Sequence, residues 1–182
     1  MRPLLALLAC AGLVLGLAAC APDDHTLSPT ATAPGTFGPD DDPVNEAIGI
    51  NCQALVTDQA VYDWGSGNFA IDVDYEPAAD SPAAEAVAAG GLACSWLNLT
   101  SGERLDVAVA ILPADELATT RDAIAATAAA TDFGADGYFV VEAGAGRADA
   151  FTSDYWLTAT SSAFGVAGDA APIVSAALAA LG

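Results

Sequence analysis

The chain has 182 residues, of which 24 are acidic and only four basic, for a formal net charge of −20. The four cations are all arginines (Arg2, Arg104, Arg121 and Arg147) and there is no lysine. Acidity this strong repels phosphate backbones and anionic headgroups, which excludes nucleic acid as a partner and a basic patch laid flat on a membrane. The length suits one domain with extensions.

Met1-Arg2-Pro3 is a short, positive leader, followed by an apolar run from Leu4 to Ala19. That run is shorter than the roughly 20 apolar residues a membrane span needs. It fits the core of a secretory signal peptide over residues 1–19. Its end, Leu17-Ala18-Ala19-Cys20, resembles the bacterial lipobox. The resemblance implies cleavage before Cys20 and a diacyl or triacyl cysteine carrying palmitate-type chains, so that the mature protein is a lipoprotein. Each buried methylene adds about 0.8 kcal/mol to such an anchor. The expected location is the cell membrane, lipid-anchored on the extracytoplasmic side.

Residues 20–45 contain Pro22, Pro29, Pro34, Pro39 and Pro43 among small and acidic residues, including the run Asp40-Asp41-Asp42. Nothing there can bury a core, so the segment reads as a disordered tether, roughly 75–80 Å if fully extended. The globular domain is expected over residues 46–182.

Within that domain, Cys52-Gln53-Ala54-Leu55-Val56 reads as a helical turn, and Thr57 caps a second short helix over residues 58–62. Asp63-Trp64-Gly65-Ser66-Gly67-Asn68 is a turn by composition. Phe69, Ile71, Val73 and Tyr75 alternate with Ala70, Asp72, Asp74 and Glu76, the pattern of a half-buried strand with an acidic face. Ser81-Pro82 opens a short alanine helix that Gly90-Gly91 stops. Residues 92–99 and 104–112 form the clearest hairpin, with Leu105, Val107, Val109 and Ile111 on one face. Pro113 suits the first position of a helix, whose dipole favours Asp115 and Glu116. Its apolar stripe is Leu117, Ile124, Ala125 and Ala128. Strands follow over residues 138–142, 147–152 and 155–161. Asp169 then caps a closing helix that turns Ile173, Val174, Ala177, Leu178 and Leu181 to a core. The expected class is α+β, a mostly antiparallel sheet with helices packed against it.

Of the four cysteines, Cys10 leaves with the leader and Cys20 takes lipid, which leaves Cys52 and Cys94 in an exported domain where thiols oxidise. They are expected to form the one disulfide. Cys52-x-x-Leu55-Val56, a capped short helix, then Cys94-Ser95-Trp96 with its hairpin resembles a group of actinobacterial secreted lipoproteins. These form a domain family of unknown function, and the extracellular sensor domains of some bacterial receptor kinases have a similar layout. The resemblance covers residues 48–182. It implies an α+β fold with a buried Cys–Trp cluster, and no activity.

Chemistry has few carriers here. The only histidine, His25, lies in the tether. Without lysine or a spare thiol, a nucleophile would have only carboxylates as a base. Gly65-Ser66-Gly67 lacks the spacing of a nucleophile elbow. Asp72, Asp74 and Glu76 are weak calcium candidates, since calcium takes oxygen ligands but this tract lacks a calcium-loop spacing. A solvated acidic strand face accounts for them without a metal. Trp64, Tyr155 and Trp156 are candidate binding residues, since adjacent strand residues face opposite sides and one of the last pair is expected to face solvent or a groove. No cofactor is implied. The expected function is a non-enzymatic binding or sensing domain of the cell envelope, with an envelope protein or small ligand as partner. The alternative is a small carboxylate-dependent or calcium-binding hydrolase.

Overall fold

The computed structural model describes residues 43–182. The leader, Cys20, His25, the Asp40-Asp41-Asp42 run and nearly all of the expected tether lie outside the described residues. Among the described residues, hydrogen bonding begins at Asn45, whose Nδ2 donates to the Gly91 carbonyl at 3.0 Å.

Twelve elements follow among the described residues: α1 (Cys52–Leu55), α2 (Asp58–Gly65), β1 (Phe69–Ile71), α3 (Pro82–Ala88), β2 (Leu92–Asn98), β3 (Arg104–Ile111), α4 (Ala114–Ala125), β4 (Ala129–Asp132), β5 (Asp136–Glu142), β6 (Ala145–Phe151), β7 (Tyr155–Ser161) and α5 (Ala167–Leu181). The strands form one antiparallel sheet in the order β1-β2-β3-β7-β6-β5-β4. Two meanders, β1-β2-β3 and β4-β5-β6-β7, therefore meet where β3 pairs with β7. Helix α4 carries the chain from one to the other. The protein is α+β, as its alternating strands and capped helices imply.

Helices cover both faces. On one, α1, α2 and α5 pack over Cys94, Trp96, Leu105, Val107, Val109 and Leu157. On the other, α3 and α4 lay Ala83, Ala86, Leu117 and Ile124 over Ala108, Ala110, Phe151 and Trp156. Strand alternation sorts these sets, because successive side chains point to opposite faces.

The local signals act as their chemistry requires. Asn51, Thr57 and Ser81 each accept a backbone N–H in the first turn of α1, α2 and α3. Helix α3 ends with Gly90 at φ 81°, Gly90 N–H donating to Val87 and Gly91 N–H to Ala86, a Schellman closure. A Cβ on Gly91 would run into the Val109 carbonyl oxygen, so glycine also lets α3 lie close on the sheet.

The structure departs from the sequence pattern in several places. The strand from Phe69 ends at Ile71 rather than Glu76. After Asp72 donates its N–H to Ser95 the chain turns, Tyr75 N–H returning to the Asp72 carbonyl at 3.2 Å. Val73, expected inside, is exposed, and Asp72, Asp74 and Glu76 share no strand face. Helix α2 continues to Gly65 and stops at Ser66, whose φ is 60°. Pro113 is the N-cap of α4, not its first residue. Asp169 caps α5 from inside the first turn, accepting from Gly165 and Val166 N–H. Ile111, at the strand end, is exposed. Strand β4 has no alternation to mark it, because Ala129-Ala130-Thr131-Asp132 offers no large apolar residue.

Cys52 and Cys94 are disulfide-bonded, with Cα atoms 5.5 Å apart, and tie α1 to β2. Cys94 and Trp96 are both buried on one side of β2, so the Cys–Trp cluster is present. The bond spans 42 residues of sequence, for which chain entropy gives about 4 kcal/mol. Replacing both cysteines by serine is expected to cost about 2–5 kcal/mol in denaturant unfolding. The β5–β6 turn offers a gain instead. Ala143 and Gly144 both have positive φ, 51° and 86°, the two-residue turn that favours Asn-Gly or Gly-Gly. Ala143→Gly is expected to raise unfolding free energy by about 1 kcal/mol, by removing the left-handed strain on alanine.

Candidate functional site

The face beneath α3 and α4 is apolar only in part. On β3 the residues facing that side are Arg104, Asp106, Ala108 and Ala110. On β7 they are Trp156, Thr158 and Thr160, and on β6 Arg147, Asp149 and Phe151. Pairing register places Ser95, Asp106, Thr160 and Arg147 in one row across four strands, with Ala108, Thr158 and Asp149 in the next. The result is a polar floor beside the apolar one. All three arginines of the described residues belong to this side. Arg121 reaches it from α4, its guanidinium 5.5 Å from the Phe151 ring centre.

Asp149 is the most deeply placed charge, with 0% of its side chain exposed. Its Oδ2 accepts from Arg147 Nε at 2.8 Å and its Oδ1 from Trp156 Nε1 at 3.1 Å. Burial pushes its carboxyl up, and Arg147 and the Trp156 indole N–H pull it part of the way back. Arg147 is held by this contact, and among the described residues Nε is the only nitrogen of its guanidinium with a hydrogen-bond partner. The side chain, 22% exposed, lines the floor of a groove of about 410 Å³ between α3 and α4. Asp80, Pro82 and Glu85 form one wall of it and Thr120, Ala123 and Ile124 the other.

A second depression, about 460 Å³, lies across the Asp80-Ser81-Pro82 turn. Asp72, Asp74, Tyr75, Glu76, Arg104 and Asp106 line it. Arg104 Nη1 donates to Asp72 Oδ2 at 2.8 Å and to Ser95 Oγ at 3.1 Å, and the guanidinium stands 5.9 Å from the Tyr75 ring centre. Burial pushes the Asp106 carboxyl up, while Ser95, Tyr75 and Arg104 stabilise its charge. Burial, followed by the neighbouring Asp106 charge, raises the Tyr75 phenol above its ordinary value. Asp106 Oδ1 is buried without a hydrogen-bond partner, a position that favours the protonated acid.

The structure separates the residues singled out in the sequence. Trp156 is buried on the α3–α4 side and borders the groove. Tyr155, its neighbour, is half-buried against the opposite core. Trp64 lies on that opposite side too, its Nε1 donating to the Asp169 carbonyl at 2.9 Å and its ring packed on Phe69 and Phe164. Asp72, Asp74 and Glu76 gather at the second depression, where Asp72 is spoken for by Arg104. Among the described residues no group of three or more histidine, cysteine, aspartate or glutamate side chains is placed to hold a metal ion.

Sequence reasoning passed over Arg147, Asp149, Asp106 and Tyr75. A signal existed: Asp106 interrupts a strand otherwise apolar from Leu105 to Ile111, and Arg147-x-Asp149-x-Phe151 turns two charges and a ring to one face. Comparisons of the chain with protein-family models, curated proteins and solved structures find no match.

Both carboxyls, fully buried Asp149 and half-buried Asp106, have folded-state values above the ordinary 3.8. A raised acid adds stability in full below its unfolded value and loses it as pH rises through the folded value. As pH falls through these folded values toward 3.8, the melting temperature is therefore expected to rise, and relief of acidic self-repulsion acts in the same direction. Asp106→Asn, which leaves Tyr75, Ser95, Arg104 and Asp72 around an uncharged group, is expected to reduce that gain. An unchanged pH dependence in this variant, followed by circular dichroism, would contradict the assignment.

Proposed function

We propose that the chain is a lipid-anchored binding or sensing domain on the outer side of the cell membrane, without enzymatic activity, that takes its ligand in the α3–α4 groove. One observation carries the reading: Asp149, fully buried, fixes Arg147 at the groove floor. A guanidinium is a permanent donor that does not exchange its proton near neutral pH, so it serves recognition better than acid–base catalysis. Asp149 has both oxygens engaged and no exposed surface, which keeps it from reaching a substrate. The anchor half rests on the Leu17-Ala18-Ala19-Cys20 pattern. Membership of the actinobacterial secreted lipoprotein family rests on the Cys52, Cys94 and Trp96 pattern.

A second reading, the carboxylate-dependent or calcium-binding hydrolase, is favoured by Asp106, a carboxyl pushed up by burial beside Asp72 at an open depression.

Two measurements test these readings. In cells that process lipoproteins, Cys20→Ala is expected to move the protein out of the membrane fraction or leave an uncleaved precursor. Normal processing with membrane retention would defeat the anchor. The mature protein is expected to show no turnover of chromogenic glycosides or esters, with or without calcium. Turnover that disappears in Asp106→Asn would replace the binding reading with the second one.

A further inference from the structure

We infer that the α3–α4 groove takes a small zwitterion, a molecule with a carboxylate and an ammonium group close together, of which an α-amino acid is the simplest. The inference rests on the reading of this groove as the binding site.

Arg147 supplies the carboxylate end. Its Nε is committed to Asp149, which leaves the Nη donors as the free edge of a planar fork that matches a carboxylate. The contact with buried Asp149 orders the side chain in advance, so a ligand loses little affinity to ordering it. Asp80 and Glu85 supply the ammonium end. Both are exposed on the α3 wall of the same groove. Neither carboxylate has a hydrogen-bond partner among the described residues, and an ammonium offers three donors. Between them Pro82, Ala123 and Ile124 give an apolar surface for an aliphatic body. The volume, about 410 Å³, is that of a small-ligand cleft.

The charge of the whole chain selects for net neutrality. At −20, the field opposes the approach of a free anion to an arginine already neutralised by Asp149. A simple amine meets Asp80 and Glu85 but leaves its apolar end against the guanidinium. A zwitterion satisfies both ends and carries no net charge through the field.

The test is calorimetric titration of the mature lipidated protein in detergent micelles. The probes are glycine, L-leucine, 4-methylpentanoate (leucine without its ammonium) and isoamylamine (leucine without its carboxylate). L-Leucine is expected to bind, and each half-molecule to bind weaker by roughly 10- to 100-fold, the range for losing a hydrogen bond to a charged group. Arg147→Gln is expected to weaken leucine to a similar degree, and so is the independent double variant Asp80→Asn with Glu85→Gln. Arg147→Lys keeps the charge and loses the fork, so it tests geometry should Arg147→Gln fold poorly. 4-Methylpentanoate binding as tightly as leucine, with loss in Arg147→Gln, would overturn the zwitterion and leave the groove a binding site. Leucine binding unmoved by every one of these substitutions would overturn the groove as its location. Binding of neither amino acid would overturn the ligand class, while the fractionation and turnover outcomes decide the underlying reading separately.

Discussion

The antiparallel pairing of β3 with β7 is the contact on which the architecture depends. It runs from Leu105↔Ser161 to Ile111↔Tyr155 and is the seam between two meanders that each arise from neighbouring segments of chain. Without it neither half of the sheet is wide enough to cover a helix layer on both sides. The same register that aligns Val107 with Ala159 and Val109 with Leu157 in the apolar core also aligns Asp106 with Thr160 and Ala108 with Thr158 on the reverse. Core and candidate site are thus two faces of one pairing, and a one-residue slip would exchange them.

The polar floor has an energetic character unlike the rest of the interior. A buried ion pair such as Arg147–Asp149 seldom stabilises a fold relative to well-packed apolar residues, because two charges lose their hydration. The carboxyl's upward displacement is the signature of that cost. Half-buried Asp106, one strand beyond β7, shows the same upward displacement without an ion pair of its own among the described residues, and one of its oxygens is unpaired. Two such placements on one side of a sheet, and none among the buried residues of the other, mark that side as the one shaped by something besides stability. Departures from the cheapest packing concentrate where function constrains a fold.

Charge distribution points the same way. An acidic surface is adequately explained by solubility, yet the three arginines of the described residues gather on the α3–α4 side, each beside a carboxylate: Asp72, Asp136 or Asp149. The Arg121–Asp136 pair, at 3.8 Å and largely exposed, contributes little. The other two hold their partners against the sheet, and only Arg147 does so at the bottom of a groove.

Much of the fold was legible along the chain. Caps at Asn51, Thr57 and Ser81 lie next to the backbone they serve, and the hairpin through Thr100-Ser101-Gly102-Glu103 carries its turn signal in Ser101-Gly102, where Gly102 has positive φ. The Cys52–Cys94 bond follows from there being no other pair in the domain. These are local or countable facts, so sequence suffices for them. Where a local pattern met a competing tertiary contact, it failed. Alternation from Phe69 to Glu76 says strand, but Arg104 and Ser95 draw Asp72 aside and the chain turns. The grouping of Arg147, Asp149, Trp156 and Asp106 was decided only by tertiary structure. They come from three strands, and strand partners are chosen by the packing of the whole sheet rather than by any neighbouring residue. The sequence by itself determined the capped helices, the strands that alternate large apolar residues, the staple and the acidity. The order of the strands, the two faces and the floor they share depend on pairing across the chain, which no local pattern specifies.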